Sequence, residues 1–293
     1  MRSRKAYFRA RNFLLLLLLF VLFAGCRDSR EKDPVIQIDL SAIKKRGKLI
    51  AITGYSATSY FIYKGQPMGY EYELLTRLAQ HFGVELEIKI DNNFVNMFER
   101  LNRGEGDLIA YGLTVTQPRK KLVNFTDFLF TTRQVLVQRR PDNWRTMQAD
   151  DIEKQLLRNP IDLIGKTVYV KKASAYEERL KNLSQEIGGK ILIREVGGDT
   201  TTEQLIEEVA LGNIDFTVSD QHIAMINQAY YSNLDVNTPI SLPQRIAWAI
   251  RKTSPDLLSE VNNWIEEMKG KTAFYVIYNK YFKNRRAFVR RLK

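Results

Sequence analysis

The sequence has 293 residues, of which 44% are hydrophobic and 27% charged, with a formal net charge of +12, one cysteine and two histidines. That is enough apolar sequence for a core in one large or two medium domains, and it excludes a largely disordered chain. One cysteine excludes an intramolecular disulfide framework and a thiolate cluster, and His81 and His222 alone leave little for a histidine metal site; no metal and no cofactor is expected. The charge is not spread along the chain. Arg2, Arg4, Lys5, Arg9 and Arg11 lie in residues 1–26, and seven more basic residues lie in 280–293, neither stretch holding an acid. Removing those twelve from the 45 basic residues leaves 33 against 33 acidic ones, so the body is neutral and no nucleic-acid groove is expected.

In chain order, the basic start precedes a twelve-residue apolar run, Phe13 to Ala24. That length suits a signal-peptide core of about 7–15 residues and falls short of the roughly 20 that span a bilayer. The run ends Phe23-Ala24-Gly25-Cys26, which resembles the lipobox of bacterial lipoproteins. The resemblance implies a signal peptide over 1–26, cleavage before Cys26 and acylation of that residue; an ordinary signal peptide with an incidental cysteine is the alternative. Residues 27–39 read as a tether. Arg27 stands where enteric lipoproteins retained at the inner membrane carry aspartate, which favours the outer membrane.

From there strand and helix patterns alternate. Lys48–Thr53 reads as a strand. Tyr70–Phe82 reads as a helix with the stripe Leu74, Leu75, Leu78 and Phe82, capped by Gly83. Val84–Ile90 is a strand, Phe94–Asn102 a helix and Leu108–Tyr111 a strand. Lys166–Val170 is a strand, and Ser174 with Glu177 predicts a capping box opening a helix. Lys190–Val196, Thr202–Leu211 and Phe216–Ser219 read as strand, helix and strand. Ser254-Pro255 opens a long helix. The expected class is α/β. Glu99–Asp107 and Glu208–Asp215 echo one another: a helix ends near glycine, an aspartate follows, and a short apolar strand begins. In open α/β sheets, ligands bind beyond the carboxyl ends of such strands.

Gly112–Phe128 reads G-L-T-V-T-Q-P-R-K-K-L-V-N-F-T-D-F. It resembles the signature of type II periplasmic solute-binding proteins for polar amino acids, bacterial extracellular solute-binding family 3. Gly69–Leu74 and Val218-Ser219-Asp220 resemble further pieces of that pattern, so the likeness runs over about residues 40–270. A closer likeness is to the non-catalytic N-terminal module of the membrane-bound lytic murein transglycosylase F family, carried by Gly65–Tyr70, Arg133–Trp144, Pro243–Trp248 and Phe274–Arg291. The glutamate-serine pair and Gly-Leu-Met-Gln segment of that family's catalytic half do not occur in these residues. No catalytic residue is therefore expected in this chain.

The resemblance implies a two-lobe periplasmic-binding-protein-like fold with a hinge and a central cleft. Lobe 1 is expected over 40–134 plus 243–271 and lobe 2 over 135–239, with crossings near Gln134–Gln138 and Thr238–Leu242. A basic helical tail over 272–293 would lead to a catalytic domain; it packs on the body or lies on an anionic membrane. The resemblance also implies that Arg119 forks onto a ligand carboxylate, completed by Thr114, backbone near Gly112, and Ser174 at a helix start. Asp220 would take a ligand ammonium, or cap the next helix. Tyr55 and Tyr60 wall the site or pack in the core. The loop Gly54–Ser59 has no acid, so an amino acid, a peptide and a muropeptide all remain open as ligands. Two functions follow: a lipid-anchored sensor regulating a transglycosylase, or a transporter's binding lipoprotein for polar amino acids.

Overall fold

The computed structural model describes residues 36–283. The expected signal peptide, Cys26, residues 27–35 of the tether and residues 284–293 of the tail lie outside the described residues.

Asp39 accepts the Leu40 N–H (2.8 Å) to cap α1 (Leu40–Arg46). Strand β1 (Lys48–Thr53) follows, then a hairpin of β2 (Phe61–Tyr63) and β3 (Gln66–Met68). Helix α2 (Tyr70–Phe82) buries the whole expected stripe, Leu74, Leu75, Leu78 and Phe82, and Gly83 ends it at φ +70. Each such side chain contributes about 1.5–3 kcal/mol of transfer free energy. Then come β4 (Glu85–Ile90), α3 (Phe94–Asn102), β5 (Leu108–Thr114), α4 (Gln117–Leu122), β6 (Asn124–Phe125) and β7 (Phe130–Thr132).

Beyond Arg133 the chain enters a second sheet. Its elements are β8 (Gln134–Arg139), α5 (Ala149–Glu153), β9 (Thr167–Lys171), α6 (Ala175–Glu186), β10 (Leu192–Val196), α7 (Thr202–Leu211), β11 (Phe216–Asp220), α8 (Gln221–Gln228) and β12 (Leu234–Pro239). The chain returns at residues 240–243 into β13 (Gln244–Ile250), followed by α9 (Pro255–Lys269), α10 (Thr272–Tyr278) and one π-helical turn, Asn279–Lys283.

The first sheet has the order β4-β1-β5-β13-β6, with β7 also on β13; the second has the order β10-β9-β11-β8-β12. In each sheet parallel strands from βαβ units meet an antiparallel partner, β13 on β5 and β8 on β11. Two lobes therefore face one another, joined by the crossings at Arg133 and at 240–243. The crossings are bonded side by side: Ile240 N–H to the Gln134 carbonyl and Gln134 N–H to Ser241 Oγ, both 2.9 Å. The first falls just before its expected span, because Gln134–Gln138 belongs to β8 itself, and the second overlaps the expected Thr238–Leu242.

Residues 272–283 pack on the body. Phe274, Ile277, Tyr281 and Phe282 are buried in the lobe 1 core with Tyr70 and Trp248. The echo between the lobes holds for the elements but not for the aspartates. Asp107 is wholly buried and binds Arg46 and the Ile50 N–H (2.8 Å), whereas Asp215 is exposed.

Candidate functional site

The carboxyl end of β5 is shaped by Gly112. Its φ of +54 turns the N–H onto Glu71 Oε1 (2.9 Å). A side chain there would be strained in the left-handed region. Glu71, 2% exposed, uses its other oxygen to accept Trp248 Nε1–H (2.5 Å). Burial raises its pKa to about 7 against the pull of those two bonds. Sequence reasoning read Glu71 only as part of a helix start. Its role depends on a tryptophan 177 residues away.

In lobe 2, Asp220 ends β11 and is 3% exposed. Its Oδ2 accepts the Tyr176 hydroxyl (3.0 Å), while Oδ1 is buried with no partner among the described residues. Burial raises its pKa to about 7. The capping reading is corrected: Asp220 occupies the N-cap position of α8, but its side chain bonds no helical N–H. Tyr176, on the buried face of α6, takes that carboxylate instead. Ser174 does cap α6, accepting the Glu177 N–H (3.3 Å). The expected reciprocal bond is absent, because Glu177 Oε2 accepts the Ala173 N–H (2.7 Å), presented by a left-handed residue at φ +59. A complete capping box stands instead at Thr201 and Gln204.

Arg119 is 7% exposed. Its guanidinium lies 5.0 Å from the Phe94 ring centroid and 5.8 Å from that of Phe98. It donates to the Thr114 carbonyl (3.1 Å) and, across the cleft, to the Ala173 carbonyl (3.3 Å). Burial lowers its pKa to about 10, so it remains a cation at pH 7. Among the described residues no carboxylate comes within ion-pair distance of it. Buried cations are ordinarily paired. A second bond crosses the cleft from Lys171 Nζ to the Asn92 carbonyl, and that ammonium lies 4.9 Å from the Phe94 ring.

Two spaces adjoin these groups. A cavity of about 50 Å³ between the lobes is bordered by Glu71 and Gly112 from lobe 1 and by Tyr176, Glu203 and Asp220 from lobe 2. His222 and Phe282 close one side of it. Burial drops the His222 pKa to about 3, so it is neutral there. A groove of about 540 Å³ holds Arg119 and Ser174, with Phe98 on its apolar wall. Phe94 borders both spaces. The structure thus places Gly112 and Asp220 on one space and Arg119 and Ser174 on the next. Thr114 contributes its carbonyl to Arg119. Tyr55 is exposed and Tyr60 packs edge-on against Tyr72 (5.7 Å), so neither borders the cavity or the groove. Among the described residues no cluster of histidine, cysteine, aspartate and glutamate is arranged to hold a metal ion, and no helix is long and apolar enough to cross a membrane.

Two facing α/β lobes, two adjacent crossings and polar strand ends on a shared cleft define a type II periplasmic-binding-protein fold. The chain matches the family described as bacterial extracellular solute-binding proteins, family 3, over residues 49–284, and it belongs to that family. It is similar to the membrane-bound lytic murein transglycosylase F of Desulfosudis oleivorans, 36% identical over 240 residues, covering 82% of this chain and 50% of the relative. It is similar to the protein of the same name from Stutzerimonas stutzeri, 30% identical over 280 residues, covering 94% and 52%. The chain thus spans about half the length of these curated relatives. Among solved structures it resembles a mutant of ArgBP from T. maritima, with TM-score 0.68, 27% identity, and coverage of 84% of this chain and 100% of the other. It also resembles the ancestral amino acid-binding protein AncCDT-1, with TM-score 0.65, 28% identity, and coverage of 83% and 98%.

Proposed function

We propose that this chain is a solute-binding module of the cell envelope, anchored by lipid at Cys26, with the outer membrane favoured. It takes a small carboxylate-bearing ligand between its lobes and regulates a peptidoglycan lytic transglycosylase. The observation that carries the binding role is Arg119: a buried, charged guanidinium, stacked on Phe94, with no carboxylate partner among the described residues. A ligand carboxylate supplies the missing partner, and Ser174 borders the same groove. Asp220, with its unpartnered Oδ1, is the matching acceptor for a ligand ammonium.

Support for regulation comes from the C-terminal turn. Phe282 borders the cavity and packs edge-on against His222 of lobe 2 (4.7 Å) and tilted against Tyr70 of lobe 1 (4.8 Å). Lobe movement on ligand binding is thereby felt where the chain runs on toward residue 293. The names of the curated relatives accord with a transglycosylase as the regulated partner. The second reading, a transporter's binding lipoprotein for polar amino acids, is favoured by the amino acid-binding structures that the fold resembles.

Arg119→Ala tests the site. At a ligand concentration 100 times Kd, the unaltered chain gains about 2.7 kcal/mol. The variant is expected to gain nothing in a thermal shift assay against amino acids and muropeptides. An undiminished shift would remove Arg119 from the site.

A further inference from the structure

At the end of lobe 2 where β8 runs out, residues 140–147 bring together two cations, Arg140 and Arg145, without a carboxylate partner among the described residues. The segment is pinned by its own turns, Trp144 N–H to the Pro141 carbonyl and Thr146 N–H to the Asn143 carbonyl, both 3.0 Å. It is tied to the neighbouring loop through Arg140 N–H on the Asn233 carbonyl (2.8 Å) and Arg145 Nη2 on Ser232 Oγ (3.1 Å). The guanidinium carbons of Arg140 and Arg145 both lie 4.7 Å from the Trp144 ring centroid.

Three other arginines of this lobe are partnered. Arg158 binds Glu153 and Asp235, Arg179 binds Glu186, and Arg139 donates to the Val209 carbonyl. Arg140 and Arg145 have no carboxylate within ion-pair distance among the described residues, and the Arg140 guanidinium has no hydrogen-bond acceptor there. Asp142, in the same turn, is exposed and pairs with neither. Two concavities, of about 380 and 580 Å³, are each bordered by Arg140, Trp144 and Arg145. In the larger one the only other cation, Arg158, is already neutralised. The smaller adds the rings of Tyr230 and Tyr231 and the Ser232 hydroxyl.

The physical logic is pre-organisation. Stacking on an indole face fixes two guanidiniums in place against their mutual repulsion. The rotamer entropy that an oxyanion would otherwise have to overcome is thus already reduced. The fork of each guanidinium matches a carboxylate or a phosphate. Aromatic rings beside it offer an apolar face to a sugar ring. A concave surface suits a small group better than a flat lipid surface. We propose that Arg140, Trp144 and Arg145 form a second binding site, separate from the interlobe cleft, for the carboxylate or phosphate of an acidic sugar.

The three tryptophans make this directly observable, because Trp248 and Trp264 are buried in the lobe 1 core and only Trp144 lies at this site. The experiment titrates the 15N-labelled chain with N-acetylmuramic acid, N-acetylglucosamine 6-phosphate and neutral N-acetylglucosamine, and follows the Trp144 indole resonance. The two acidic sugars are expected to shift it saturably and the neutral one to leave it in place. Arg140→Ala/Arg145→Ala is expected to weaken binding at least about tenfold, with an unchanged melting temperature. Arg140→Lys/Arg145→Lys, which keeps charge but loses the fork, is expected to fall between. The proposal is overturned by equal shifts from the neutral sugar, by unaltered binding in the alanine variant, by the absence of any saturable shift, or by a Trp144 response to phosphatidylglycerol vesicles alone. None of these outcomes bears on Arg119, whose ligand is tested in the cleft.

Discussion

Replacing Asp220 by asparagine is expected to stabilise the ligand-free protein and to abolish binding of an ammonium-bearing ligand. The carboxyl is moved from 3.8 to about 7 by burial, the Tyr176 bond and the Arg119 charge opposing that rise. At 1.36 kcal/mol per unit this is a ceiling of about 4 kcal/mol against folding with the group ionised. The sign follows from linkage. Below pH 3.8 the group is protonated in both states and costs nothing. Between pH 3.8 and 7 only the unfolded chain releases the proton, so stability falls as pH rises, and above 7 the cost is constant. The asparagine amide brings a new donor to the place of Oδ1, which offsets about 1–3 kcal/mol. That offset does not depend on pH. Urea unfolding of both proteins at pH 5 and pH 8 therefore isolates the effect, since His222 and Glu71 titrate alike in each. The advantage of the variant is expected to grow by about 2–3 kcal/mol between the two pH values. A difference that stays flat, or that shrinks toward pH 8, would refute the reasoning and mean that Asp220 is held ionised by Arg119.

Two further outcomes follow from the geometry. Gly112→Ala is expected to cost about 1–2 kcal/mol in urea unfolding, since φ is +54 there and the N–H must stay on Glu71; an unchanged midpoint would show that the turn relaxes freely. Lys171→Met removes a bond and a cation–ring contact that cross the cleft, so the lobes are expected to part, raising the radius of gyration in small-angle X-ray scattering by on the order of 1 Å; an identical profile would remove Lys171 as a latch.

What the sequence revealed depended on how local the cause was. Tyr70–Phe82, Phe94–Asn102 and Thr202–Leu211 run as read, because their apolar stripes and end signals lie within one turn of the residues they govern. The short strands β6, β7 and β12 were not legible, since they exist only by pairing with β13 and β8. Ser174 caps α6 as its local sequence predicts, but the destination of Glu177 is decided by the left-handed Ala173. At the site, the motif drew attention to Gly112, Arg119 and Asp220. The partners are set by tertiary packing: Glu71, bonded to Gly112 and Trp248, lies with that tryptophan in segments that carry the resemblance but show nothing of the bond between them, and Tyr176, bonded to Asp220, carries no mark.

The position of β13 has a consequence for the order in which the protein can be completed. Residues 134–239 hold every strand of the second sheet, so lobe 2 is whole as soon as that stretch has been synthesised. Lobe 1 begins earlier but finishes later. Its sheet lacks the strand beside β5 until residues 244–250 arrive, and Tyr70 and Leu74 stay uncovered until Trp248, Trp264, Phe274 and Tyr281 follow. Through that interval an apolar half-core is open to other chains, as with any domain whose last element closes its first. The chain thus emerges with its second-encoded lobe finished and its first-encoded lobe waiting, and a truncation before about residue 283 would leave the earlier lobe permanently in that state.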